Sequence, residues 1–158
     1  MDHIQKTGKL CRYGKIAGLE KPVSRMIFGT TIAPMMEGKN ADEILDAALT
    51  KGINTFDTAR GYERAEESLG SWMKRRGNRD QVVIISKCGN CDSDGSVCVN
   101  RKVIETELAE SLQALQTDYI DIYLLHRDDP KTPVSEMIDT LNELQKAGKI
   151  KEFGVSNW

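Results

Sequence analysis

The chain has 158 residues, with 22 Lys and Arg against 24 Asp and Glu, for a net charge of −2. A domain of this size buries roughly 70% of the surface its unfolded chain would expose, which argues against disorder and removes any need for disulfides or metals to hold a core. Scattered, nearly balanced charge lacks the basic footprint that neutralises a row of phosphates, so nucleic acid is not an expected partner.

The longest apolar runs, 82–85 and 122–125, hold four residues each, whereas a membrane span needs about 20. Residues 1–6 carry an acid early and no apolar run, so no secretory signal is expected and the cytoplasm is the expected location. Cys88, Cys91 and Cys98 fall within eleven residues of one another. This is half a zinc pattern, because the remaining candidates, Cys11 and His3, come from a distant stretch. Reduced thiols are therefore preferred to a metal site.

In chain order, a small hairpin is expected around Tyr13-Gly14, with arms at 10–12 and 15–17. Apolar runs suited to buried parallel strands follow at 26–28, 53–56, 82–85, 120–125 and 152–155. Four amphipathic helices alternate with them. Their apolar stripes are Ile44, Leu45, Ala48 and Leu49; Ala65, Leu69, Trp72 and Met73; Ile104, Leu108, Leu112 and Leu115; and Val134, Met137, Ile138, Leu141 and Leu144. Asn40 with Glu43 reads as a capping box and Thr132-Pro133 as an N-cap with the first helical residue. Gly52, Gly77 and Gly148 read as helix stops.

Strands alternating with helices imply parallel strands joined by right-handed crossovers, in either an open doubly wound sheet or a barrel. Strand starts at Met26, Ile53, Val82, Ile120 and Lys151 lie 27, 29, 38 and 31 residues apart. A barrel of about 250 residues divided into eight units needs about 31. Phe28 leads into Gly29-Thr30-Thr31-Ile32-Ala33-Pro34, which is not the Gly-rich phosphate loop of an open nucleotide-binding sheet. The expected fold class is α/β, a partial (β/α)8 TIM barrel with five parallel strands, four helices and the N-terminal hairpin.

In a barrel, the C-terminal strand ends share one active-site rim. Asp57 and Tyr62 follow the second strand, Lys87 the third and His126 the fourth. Each alone has an ordinary explanation as a helix cap, a surface ring, a solvated loop end or a hydrogen-bonded core histidine. Together at successive strand ends they are better explained by one site. Tyrosine, with a reference pKa of about 10, is a weak acid at neutral pH, and a nearby ammonium favours its phenolate. Lys87 can supply that cation, Asp57 can keep it charged, and a neutral His126 N–H can orient and polarise a carbonyl. The set has no nucleophile and no metal cluster, so electrons must come from a cofactor, and hydride transfer to a carbonyl fits.

Asn54-Thr55-Phe56-Asp57-Thr58-Ala59, Gly61-Tyr62-Glu63, Ser86-Lys87, Asp118-Tyr119-Ile120-Asp121 with Leu124-Leu125-His126, and Gly148-Lys149-Ile150 with Gly154-Val155-Ser156-Asn157 resemble the aldo-keto reductases. The resemblance implies a catalytic tetrad of Asp57, Tyr62, Lys87 and His126, with Tyr62 as general acid. It also implies a metal-free enzyme that uses NADPH, with NADH as the alternative, and reduces a small-molecule aldehyde or ketone. Ser156 and Asn157 would bind the nicotinamide carboxamide, while Gly29, Thr30 and Asp57 would line the cofactor. A non-catalytic subunit that senses cofactor through a partner is the alternative within the same fold. Cys88, Cys91 and Cys98, near the rim, raise oxidative control as an alternative to three incidental thiols.

Only five of eight expected strands precede Trp158. The expectation is that 1–158 is the N-terminal portion of a single, longer barrel domain. A chain of this length by itself would expose sheet edges prone to self-association. A dimerising product and a non-catalytic remnant are the other two readings.

Overall fold

The parallel sheet grows outward from Phe56 and Ile84, which are apolar on the face that packs beneath helices. In the computed structural model, which describes residues 11–90 and 96–158, its strands are β3 (Ile27–Gly29), β4 (Thr55–Asp57), β5 (Val83–Cys88), β6 (Ile120–Leu125) and β7 (Ile150–Val155). They pair in sequence order, all parallel. No closed barrel forms among the described residues. The architecture is that of a partial (β/α) barrel, as the alternating pattern predicts.

The hairpin differs from its expected form. Its arms are β1 (Tyr13–Gly14) and β2 (Val23–Ser24), paired antiparallel, so Tyr13-Gly14 is an arm and not the turn; Leu10 lies outside the described residues. Tertiary anchoring sets this register. Tyr13 Oη donates to the Gly52 carbonyl at 2.7 Å. The Ser24 N–H donates to Asn54 Oδ1 at 2.9 Å, and Ser24 Oγ accepts from the Thr55 N–H at 3.1 Å.

The four expected helices form as α2 (Asp42–Thr50), α3 (Ala65–Arg76), α4 (Arg101–Leu115) and α5 (Val134–Lys146). A one-turn helix, α1 (Ala33–Met36), precedes them and is additional to the four expected. Pro34 sets its first turn, and Ser68 Oγ holds it to α3 by donating to the Met35 carbonyl at 2.9 Å.

Two caps depart from expectation. Ala41 is the N-cap of α2, and Asn40 Oδ1 instead accepts from the Asp42 N–H at 2.8 Å, one residue outside the expected box. Pro133 is itself the N-cap of α5, while Thr132 Oγ1 donates to Asp129 Oδ2 at 3.0 Å. Asn40 thus bonds the first N–H of the helix from one residue before the cap, and Thr132 is taken by an acceptor outside the helix. Gly77 does end α3 in the left-handed region, at φ 59°.

Trp72, Leu69, Ile104, Leu108, Leu115, Met137 and Leu141 bury the helix stripes against Phe56, Ile84, Tyr123 and Leu125. The Phe56 and Trp72 ring centroids are 5.2 Å apart. Helices α3 and α4 approach so closely at Gly70 that a Cβ there would run into the backbone of Ala114 and Leu115. Ile44 on α2 and Val134 and Ile138 on α5 fall outside this layer and stay exposed, because those two helices bury a narrower arc than their apolar stripes span. No helix among the described residues is long and apolar enough to cross a membrane.

Candidate active site

Side chains alternate along a strand. With Phe56, Ser86, Cys88, Tyr123 and Leu125 turned toward the helices, Asp57, Lys87 and His126 belong to the opposite face, near the C-terminal end. Register brings them together, since Asp57 pairs with Ile85 and Lys87 with Leu124. Backbone bonds continue past the strands: Thr30 N–H to the Asp57 carbonyl (3.0 Å), Thr58 to Ile85 (2.8 Å), Arg60 to Lys87 (3.0 Å), His126 to Cys88 (2.7 Å) and Ser156 to Leu125 (2.8 Å). The rim residues are therefore held by the same ladder that holds the sheet.

Lys87 is the centre of the group. Only 6% exposed, its ammonium donates to Asp57 Oδ1 at 2.7 Å and to the Thr58 carbonyl at 2.9 Å, and it lies 3.4 Å from Tyr62 Oη. The Tyr62 hydroxyl is the loosest of the three contacts, so it can turn toward a substrate without costing Lys87 its principal partners. A tight turn after β4 delivers Tyr62: its N–H donates to the Ala59 carbonyl at 3.0 Å, and its carbonyl accepts from Ala65 at 2.9 Å. The His126 ring meets Tyr62 edge-on, with centroids 5.7 Å apart.

Burial holds the His126 imidazole below its ordinary pKa of 6.5, and the positive charges of Lys87 and Arg127 reinforce this against a smaller opposing effect of Asp57. His126 is consequently neutral at pH 7, the form in which one ring nitrogen can donate to an oxygen without adding a second cation. Its Nδ1 is buried without a protein partner.

The residues expected to line a cofactor occupy the same end. Gly29 is in register with Asp57, and a Cβ there would meet open space. Thr30 is fully buried, yet its Oγ1 has no protein partner. Asn157, at φ 53°, donates through Nδ2 to the His126 carbonyl at 3.2 Å and to Ser156 Oγ at 3.0 Å.

Two participants escaped the sequence reading. The Thr58 carbonyl carries no side-chain signal; Arg127 does carry one, as a cation directly following His126. The thiol of Cys88 is buried, and that burial pushes its pKa up to about 12, so this cysteine lacks the thiolate that redox chemistry needs. Cys98 is exposed; Cys91 and His3 lie outside the described residues. Among the described residues no group of three or more His, Cys, Asp or Glu side chains is placed to hold a metal ion.

The Aldo/keto reductase family model matches residues 25–158. Aldo-keto reductase YhdN of Bacillus subtilis is 39% identical over 155 residues, an alignment that takes in 92% of this chain and 47% of the relative. Aldo-keto reductase str7 of Strobilurus tenacellus is 36% identical over 114 residues, covering 72% and 33%. The solved structure of aldo-keto reductase AKR11C1 from Bacillus halodurans, in its holo form, superposes with a TM-score of 0.79 at 30% identity, covering 93% of this chain and 50% of that one. The chain thus spans half or less of the length of these relatives. With the family match running from before β3 to Trp158 and through every rim residue described above, the chain belongs to the aldo/keto reductase family.

Proposed function

We propose that the protein carrying this chain reduces an aldehyde or ketone to the alcohol, with Tyr62 as general acid. The observation that carries this reading is the single ammonium of Lys87 bonded to Asp57 and to the Thr58 carbonyl, with the Tyr62 hydroxyl 3.4 Å away. In this reading, residues 1–158 are the N-terminal portion of one barrel domain, the location is cytoplasmic, and the partner is a small-molecule carbonyl.

A nicotinamide dinucleotide, NADPH with NADH as the alternative, supplies the hydride when bound. The residues present suit such a group. Thr30 Oγ1 offers a buried, unpartnered hydroxyl, Gly29 leaves space beside it, and the adjoining Ser156 and Asn157 side chains would hold the carboxamide.

The chain's own part is proton and charge management. The His126 N–H and the Tyr62 hydroxyl converge on the carbonyl oxygen and fix its direction. As negative charge develops on that oxygen, the Tyr62 hydroxyl transfers its proton to it, and the alcohol results. The phenolate left on Tyr62 is stabilised by the Lys87 ammonium, which the ion pair with Asp57 holds in place, until solvent returns the proton.

Replacing Tyr62 by Phe removes the donated proton and leaves the ring in place. Carbonyl reduction should fall by about 100- to 10,000-fold, with NADPH affinity, followed by nucleotide fluorescence, near wild type. Unchanged turnover would overturn the role of Tyr62. Tight NADPH binding by the wild-type protein, with no turnover on a broad aldehyde panel, would favour a cofactor-sensing subunit instead.

A further inference from the structure

On the helix-facing side of β5, directly behind the candidate site, a carboxylate occupies a position that packing alone would give to an apolar side chain. Glu66, in the first turn of α3, is 1% exposed, and both of its oxygens are engaged. Oε1 accepts from Ser86 Oγ at 2.7 Å, and Oε2 accepts from Arg60 Nη1 at 2.8 Å. Arg60 lies on the loop between Asp57 and Tyr62, and its own N–H donates to the Lys87 carbonyl at 3.0 Å. Ser86 immediately precedes Lys87 and turns its side chain to the opposite face of the strand. The segments that deliver Asp57, Tyr62 and Lys87 therefore meet at one buried carboxylate.

Stability is a poor explanation for this arrangement. Taking an ionised carboxylate out of water is costly, and a well-packed apolar replacement for a buried ion pair is often neutral or stabilising. What the charge provides is direction, since charge-assisted hydrogen bonds resist the sliding that an apolar contact permits. The contact nearest the outer limit of hydrogen-bond range is the 3.4 Å separation of Lys87 Nζ from Tyr62 Oη. A small shift of β5 against the 58–62 loop would lengthen that contact first.

We propose that Glu66 is a positioning residue, which through Ser86 and Arg60 holds the Lys87 ammonium at its working distance from the Tyr62 hydroxyl. The proposal rests on the roles given above to Tyr62 and Lys87, and its test is built to stand apart from them. In the protein as its source expresses it, wild type is compared with Glu66→Leu, Glu66→Gln and Ser86→Ala. Leu141→Ala, which removes a buried side chain of α5 from the core without touching Glu66, Ser86 or Arg60, serves as a control for general loosening.

The first readout needs no turnover: reductive methylation of Lys87 by formaldehyde and cyanoborohydride, followed by peptide mass spectrometry. Lys87 should react slowly in wild type and in Leu141→Ala, and about tenfold faster in Glu66→Leu, where local opening becomes easier. Glu66→Gln and Ser86→Ala, each retaining part of the network, should fall between. The second readout is steady-state carbonyl reduction. Here kcat should drop by about 10- to 100-fold in Glu66→Leu, with both KM values close to wild type and partial recovery in Glu66→Gln.

Wild-type methylation and kcat in Glu66→Gln and Ser86→Ala overturn the proposal even if Glu66→Leu does not fold. Equal acceleration of methylation in Leu141→Ala overturns it too. If the wild-type protein reduces no carbonyl, the functional reading fails, and the methylation rates still decide whether Glu66 holds Lys87.

Discussion

At the N-terminal end of the sheet, Asp121 Oδ2 accepts from the Ile84 N–H at 2.9 Å and lies 2.8 Å from Arg79, with Lys21 2.5 Å from its other oxygen. At the C-terminal end, Lys87 is just as buried and just as well paired, yet Thr30 Oγ1, Thr58 Oγ1, His126 Nδ1 and Arg127 Nε around it are buried without protein partners. The N-terminal end also holds a cavity of about 290 Å³ lined by residues including Lys21, Tyr119, Asp121 and Lys151. Its charges are committed to one another: Arg79 stacks 4.0 Å from the Tyr119 ring centroid while bonding Thr117 and the Tyr119 carbonyl. Polar groups that satisfy each other serve stability. Polar groups held in place with bonding capacity to spare are suited to a ligand.

Substitutions at the two ends should separate activity from stability. Lys87→Met should lower turnover by about 100- to 10,000-fold with a small change in melting temperature, both measured on one preparation. Comparable loss of stability would place Lys87 with the structural end. Asp121→Ala should do the reverse. It strands Arg79 and Lys21, so unfolding in urea should show a loss of about 3–5 kcal/mol, with kcat per folded molecule unaltered.

A finer test lies at Thr30. Exchange for Val removes a buried hydroxyl that has no partner, so stability should hold or rise by about 1 kcal/mol. If that hydroxyl serves the cofactor, the nucleotide Kd should rise by about fivefold to tenfold, measured by fluorescence titration. Unchanged affinity would remove Thr30 from the cofactor site.

The smallest effect concerns pH. The native pKa of His126 lies below its ordinary value, because burial and the neighbouring cations oppose the charged ring. The unfolded chain therefore takes up the proton first as pH falls. The stabilisation is fully present above about pH 6.5 and is lost progressively below it, toward the depressed native pKa. Wild type should lose unfolding free energy faster than His126→Gln between pH 7 and pH 5.5. Parallel curves would show that the imidazole is not held neutral.

Much of this organisation is legible in the residues. The run 120–125 coincides with β6, and the residue types at the strand ends single out the candidate site before any contact is known. Shorter features were read less well. The hairpin's register depends on Ser24, Asn54 and Thr55 bonding across some thirty residues of chain, and one-turn α1 depends on Ser68. Isolated short elements have little stability of their own, so distant contacts select them. The two N-caps were misread for a local reason: Asn40 and Thr132 each bond a group two or three residues away in place of the expected cap.

The amino-acid sequence by itself determined the alternation of strands and helices, and with it the parallel sheet and the placing of Asp57, Lys87 and His126 at strand ends. It could do so because side-chain periodicity is local and is written directly into residue order. Only the tertiary structure decided that the Thr58 carbonyl is a partner of Lys87, that His126 is held neutral, and that Glu66 joins β5 to the 58–62 loop behind the candidate site. Those facts depend on backbone acceptors, on burial, and on the distance between groups far apart in the chain, none of which exists until the sheet and its helices have closed on one another.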